Sequence, residues 1–222
     1  MTELQALRAE YRADKAQLLQ SIAAPQATGR AVRKVLERMS QMTDKVLVRL
    51  WQYAGLNSPL ALLAVGGYGR GELFPHSDVD VLVLLPDGQT PELDEELKKK
   101  LETFIGSCWD VGLEIGSSVR SLSDCLDEAA KDVTVQTALL ESRWIAGSPT
   151  LVGEFQEAFF AALDPKAFFV AKTLEMRQRH TKFEDTPYSL EPNCKESPGG
   201  LRDLQVVLWV AKAAGYGKTW QA

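Results

Sequence analysis

Residues 62–83 read Leu62-Leu63-Ala64-Val65-Gly66-Gly67-Tyr68-Gly69-Arg70-Gly71-Glu72-Leu73-Phe74-Pro75-His76-Ser77-Asp78-Val79-Asp80-Val81-Leu82-Val83. An apolar run ends in two glycines, a short segment follows, and a second apolar run opens with aspartates at i and i+2. Side chains two apart on a strand share a face. Asp78 and Asp80 therefore present their carboxylates side by side, while Val79, Val81 and Val83 point into a core. Adjacent carboxylates repel and shift each other's pKa, which suits a place where cations neutralise them. Upstream, Gly66-Gly67 lets the backbone turn sharply and bring bare N–H groups to a ligand. A helix beginning there adds a partial positive charge suited to phosphate. Taken singly, Gly-Gly after a strand is also an ordinary turn, and Asp-x-Asp a solvated strand edge. Together, with one short helix fitting between them and Arg70 alongside, they describe a phosphate cradle next to metal-binding carboxylates.

Bulk properties narrow the classes. The 222 residues, 45% hydrophobic and 25% charged, suit one large globular domain or two small ones with a real core. A net charge of −5 argues against a general polyanion-binding surface, so a nucleic-acid acceptor is not expected. Cys108, Cys125 and Cys194 are odd in number and lack metal-ligand spacing, as free thiols in a reducing cytoplasm would be. The N-terminus MTELQALRAEYRADK has no apolar signal core, and no apolar run reaches the roughly 20 residues of a membrane span. A cytoplasmic protein without a membrane partner is expected.

Periodicity organises the rest. Leu4, Leu7, Tyr11, Leu18 and Leu19 predict a helix before a break at Pro25, and Val32 to Trp51 predict another ending near Gly55. Leu60–Val65 and Val79–Leu85 are strands, the second closed by Pro86-Asp87-Gly88. Leu93, Leu97, Leu101, Phe104, Ile105 and Cys108 stripe a helix whose Lys98–Lys100 run reads as a solvated face. Val111, Leu113 and Ile115 alternate with Gly112, Glu114 and Gly116, which predicts a third strand with Glu114 on its open face. An acidic residue there is poorly placed in a core. It is either an exposed strand residue or a neighbour of the aspartate pair. From Val133 onward the pattern is helical, with a domain boundary at Gly147-Ser148-Pro149. Asp164-Pro165 opens a helix running toward Phe183. After a loop with Pro187, Pro192 and Pro198, Gly199-Gly200 opens a last helix with Leu201, Leu204, Leu208 and Ala211 on one face. Lys195, Gly199, Gly200 and Arg202 are either a second anion site at that helix start or a cap with surface cations. His76 is read as shaping its loop and His180 as an exposed helix residue.

The pattern apolar-Gly-Gly followed by Asp-x-Asp on the next strand resembles the polymerase-β-like nucleotidyltransferase superfamily. GGYGRGELFPHSDVD (66–80) is similar to one branch, the bacterial PII uridylyltransferase/uridylyl-removing enzymes. WDVGLEIG (109–116), TVQTALLESR (134–143) and LEPNCKESPGGLRDL (190–204) also look familial, so the resemblance runs from about Ala61 to Trp209. It implies an α+β fold: a polymerase-β-like core with a small mixed sheet flanked by helices. N-terminal helices at 1–56 would precede the core at 57–146, and a helical domain at 147–222, cut short, would close the nucleotide site. It implies transfer of UMP from UTP to a tyrosine hydroxyl of the PII nitrogen-regulatory protein, with release of pyrophosphate. Asp78, Asp80 and Glu114 would be the catalytic carboxylates holding two Mg²⁺ ions. Gly66, Gly67, Arg70, Ser77, Lys195, Gly199, Gly200 and Arg202 would bind the nucleotide. The family's phosphohydrolase domain, marked by a His-Asp motif, and its two glutamine-sensing domains find no counterpart here, so uridylyl removal and glutamine control are expected to be missing. Two rivals are another protein or RNA nucleotidyltransferase of the superfamily, and a UTP-binding docking module without turnover. The presence of both Asp78 and Asp80 argues against the second.

Overall fold

The unbroken apolar run Val81–Leu85 asks for a strand buried on both faces, as happens where helices cover both sides of a sheet. In the computed structural model it lies in such a place. The structure describes residues 2–23, 28–57, 59–188 and 190–217. In chain order the first elements are α1 (Glu3–Gln20), α2 (Gly29–Tyr53), β1 (Ala61–Ala64), α3 (Gly66–Gly69), β2 (Val79–Leu85), α4 (Glu95–Val111) and β3 (Ile115–Ser121). There follow α5 (Leu122–Lys131), α6 (Val133–Leu140), β4 (Arg143–Gly147), α7 (Pro149–Ala162), α8 (Pro165–Lys182) and α9 (Leu201–Ala213). The sheet order is β3-β2-β1-β4, with β1 antiparallel to β2 and β4, and β3 parallel to β2. This is the α+β, mixed-sheet architecture expected.

Strand alternation sorts the core into two layers. Leu62, Val81, Val83 and Ile115 face α1, α2 and α4, packing with Met39, Leu47, Trp51 and Phe104. Trp51 and Phe104 meet edge to face, centroids 5.6 Å apart. Ala61, Leu63, Leu82 and Leu84 face the other way, against Phe155, Phe159, Phe168 and Trp209. Asp80 is the one exposed position of β2 and lies on this second face, two residues before Leu82. The cleft is therefore on the side of α6, α8 and α9.

Several local expectations are corrected. Val111 is the last residue of α4, and Gly112 ends that helix in the left-handed conformation (φ 92°), so the third strand begins at Ile115. The Gly112/Glu114/Gly116 alternation imitates a strand because a helix cap and a strand start follow each other directly. Arg143–Gly147, read as helical, is the edge strand β4. On α9 the buried residues are Val206, Trp209 and Ala213, whereas Leu201 and Leu204 are exposed. Leu93 precedes α4 and is 88% exposed. Asp164 caps α8 through the N–H groups of Lys166 and Ala167, with Pro165 in the first turn. The break expected at Pro25 lies outside the described residues. Among the described residues no helix is long and apolar enough to cross a membrane.

Candidate active site

β1 delivers the chain into the α3 turn. Gly66 adopts φ 57°, a left-handed conformation that favours glycine, and a Cβ on it would stand 3.7 Å from the Asp80 carboxylate. The first N–H groups of such a turn have no partner within it and face outward as donors. Two further features clamp the turn. A Cβ on Gly69 would stand 1.8 Å from the Glu141 carbonyl oxygen, so the backbone of 141 passes where only glycine fits. The Tyr68 hydroxyl donates to Asp44 of α2, which also receives Arg143 of β4 at 2.8 and 3.0 Å. Burial, then the Asp44 charge, pushes the Tyr68 phenol far above its ordinary value, keeping it a donor.

Asp78 and Asp80 stand at the head of β2. Burial, and then the charge of Asp78, raises the Asp80 carboxyl above the ordinary carboxylate range. Gly116, paired with Asp80 across the β2–β3 ladder, leaves room for it: a Cβ there would lie 2.5 Å from Asp80 Oδ1. A partly desolvated Asp80 beside the exposed Asp78 makes a pair of hard-oxygen donors that fits a divalent cation. Mg²⁺ binds through one or two carboxylates and takes its remaining ligands from phosphates and water. Among the described residues no group of three carboxylate, imidazole or thiolate side chains gathers at one point. Glu114, two residues before Gly116, accepts the Val79 N–H with its carbonyl at 2.7 Å and lies outside the cleft lining.

Gly66, Gly67, Arg70, Ser77, Asp78 and Asp80 line a cleft of about 950 Å³, together with Lys195 and Arg202 from the opposite side. Arg70 reaches Glu141, which is 3% exposed, at 2.5 Å. Burial raises the Glu141 carboxyl, and Arg70 acts against the rise. Gly199 and Gly200 are not in the cleft wall. The Gly199 N–H donates to Asp203 (2.7 Å), Gly200 to Ser197 O, and the next two N–H groups to Cys194 O and Lys195 O. The start of α9 is thus capped by its own loop, and the side chains of Lys195 and Arg202 remain as the cations there.

Sequence reading missed several residues that shape the cleft. Lys172 of α8 is 2% exposed, holds both oxygens of Glu175 at 2.9 and 2.8 Å, and lies 4.5 Å from the Trp209 ring centroid. Burial lowers its pKa, opposed by Glu175. Arg202 flanks the same indole at 5.5 Å. His180 is not exposed: its Nε2 meets Asp203 at 2.9 Å, and Asp203 also takes Arg179. For Lys172 the only signal was a cation amid helical apolar spacing. For Tyr68 and Gly69 it was the GGYG string itself.

Comparison with known proteins places this geometry. The nucleotidyltransferase domain family matches residues 33–135, and the GlnD PII-uridylyltransferase family matches residues 167–222. Proteins described as bifunctional uridylyltransferase/uridylyl-removing enzymes from Burkholderia thailandensis and Burkholderia mallei are 58% identical over 96% of this chain. One from Burkholderia lata is 56% identical over the same share. The chain spans 24% of the length of each of these relatives. A mixed sheet with a glycine turn and paired aspartates, matched along nearly the whole chain, leads to one statement: the chain carries a nucleotidyltransferase domain and is similar along its length to the bifunctional uridylyltransferase/uridylyl-removing enzymes.

Proposed function

We propose that this chain transfers UMP from UTP to a tyrosine hydroxyl of the PII signalling protein, releasing pyrophosphate in the cytoplasm. The observation that supports it most is the meeting of the Gly66–Gly67 turn and the Asp78–Asp80 pair in one cleft, faced by Lys172, Lys195 and Arg202. In this reading the N–H groups of Gly66 and Gly67, the Ser77 hydroxyl and Arg70 hold the β- and γ-phosphates. The cations of α8 and the loop before α9 offset phosphate charge from the other side, while 147–222 closes over the core at 57–146. Gly199 and Gly200 serve by shaping the loop that presents Lys195 and Arg202. Asp78 and Asp80, with Glu114 as third carboxylate, would hold two Mg²⁺ ions, which when bound neutralise phosphate charge and acidify the acceptor hydroxyl. The phenolic oxygen bonds to the α-phosphorus as the bond to the bridging oxygen breaks. The electron pair leaves with pyrophosphate, and the phenolic proton passes to solvent.

The test is incubation of the chain with PII, Mg²⁺ and α-labelled UTP, beside an Asp78→Asn/Asp80→Asn double variant. Label on PII with the parent chain alone is the expected result. Equal labelling by both removes the role of the pair, and UTP binding without transfer removes the claim of turnover.

A further inference from the structure

A second cavity, of about 380 Å³, adjoins the nucleotide cleft and shares Gly66, Asp80, Thr134 and Ala138 with it. It runs over the same sheet face as Asp80, between the β2–β3 ladder and α6. Its walls are apolar at Val65, Leu82, Val135 and Leu139 and polar at Ser117 and Ser118, with Arg120 also in its lining. Displacement at the α-phosphorus needs the attacking oxygen opposite the leaving pyrophosphate. The acceptor therefore enters through a space that the triphosphate does not fill, yet beside the same carboxylate. This cavity meets both conditions. Gly116 keeps the passage open, because any side chain there would strike Asp80.

Resting on the reading above, we propose that this groove is the acceptor site and that it receives the tyrosine ring of an extended segment of the acceptor protein, with the phenolic oxygen at Asp80. The lining suits that one side chain: a flat apolar slot that ends at a polar, cation-binding carboxylate. β3 is an edge strand, so an extended peptide has unpaired backbone groups to lie along. Arg120 makes no ion pair within 4 Å among the described residues and feels Asp124 only at longer range, which leaves it for an acidic residue of the acceptor.

Ser118→Trp and Val135→Trp fill the groove, and Arg120→Ala removes its cation. Transfer kinetics with PII are read separately for each substrate, and UTP binding by calorimetry reports that each variant is folded. The expected result is an acceptor KM raised about tenfold or more by either tryptophan, with UTP affinity within about twofold of the parent. Arg120→Ala should raise the acceptor KM less, and its effect should fade with added salt. Unchanged acceptor KM in both tryptophan variants with intact UTP binding overturns the groove assignment and leaves the function standing. A raised UTP KM with unchanged acceptor KM assigns the groove to the nucleotide and also overturns it. A parent chain that transfers nothing to PII overturns both readings.

Discussion

The sheet side of the cleft rests on Met39, Leu47 and Phe104, all fully buried, and its Gly66–Gly69 turn is locked by glycine contacts and the Tyr68–Asp44–Arg143 network. The opposite wall is made differently. α8 buries only Phe168 and Lys172, α9 only Val206, Trp209 and Ala213, and the two are joined through Asp203 to Arg179 and His180, while Glu196 of the loop before α9 meets both Arg179 and Arg202. Apolar packing carries no titrating group, whereas partly exposed ion pairs respond to both salt and acid. One side of the cleft is held mainly by apolar packing, and the other mainly by ion pairs between side chains of α8, α9 and the loop before α9.

Substitutions that strike the two sides should separate them. Phe104→Ala opens a cavity under the sheet and should cost about 3–5 kcal/mol, seen as a large fall in Tm. A Tm close to the parent's would mean that the sheet side is not packed as described. Tyr68→Phe removes the hydroxyl from Asp44 but leaves Arg143, for a loss of about 1–3 kcal/mol. Its transfer rate should fall with UTP affinity, because the phosphate turn loosens. Asp203→Asn leaves the Arg179 guanidinium, 10% exposed, without its charged partner and should cost about 1–3 kcal/mol globally. It should speed amide exchange across 199–213 while leaving 61–85 protected, and uniform exchange would erase the contrast. Leu93→Ala, at a side chain 88% exposed, should move stability by less than about 0.5 kcal/mol.

Acid should sharpen the difference further. Burial pushes the Asp203 carboxyl up, but His180, the Gly199 N–H and Arg179 outweigh it and hold it below the ordinary range. Its stabilisation is therefore complete above the ordinary carboxylate value and is lost as pH falls through the depressed one. Glu141 has the opposite sign: burial raises its carboxyl, so its charged form costs stability at neutral pH, and the cost is relieved as pH falls through the raised value. Amide protection in α9, taken relative to the intrinsic exchange rate at each pH, should fall on acidification before protection in β1 and β2 does.

How much of this was legible in the sequence follows the same line. β2 and the turn before it were readable because both signals are local: an apolar run, a double glycine, and two aspartates on one strand face. β4 was not, since Arg143-Trp144-Ile145-Ala146-Gly147 carries no alternation and becomes a strand only by pairing with β1, far away in sequence. β3 was misplaced because its Gly-Ser-Ser stretch has weak strand propensity and the neighbouring cap mimicked a strand. The buried face of α9 depends on where α6 and α8 stand, which no periodicity within α9 reveals. Of the candidate site residues, those around Gly66–Asp80 gather with Lys195 and Arg202, while Glu114, Gly199 and Gly200 stand apart from the cleft wall.

The link from Tyr68 to Asp44 also bears on how the protein can be shortened. Asp44 belongs to α2, well ahead of the first strand, yet it holds the turn that would grip phosphate and the arginine that ties β4 to it. A miniaturised nucleotide binder cut from this scaffold must keep α2, or else supply a new acceptor for the Tyr68 hydroxyl and the Arg143 guanidinium. Minimal fragments starting at the sheet would be expected to lose ligand affinity before they lose their strands.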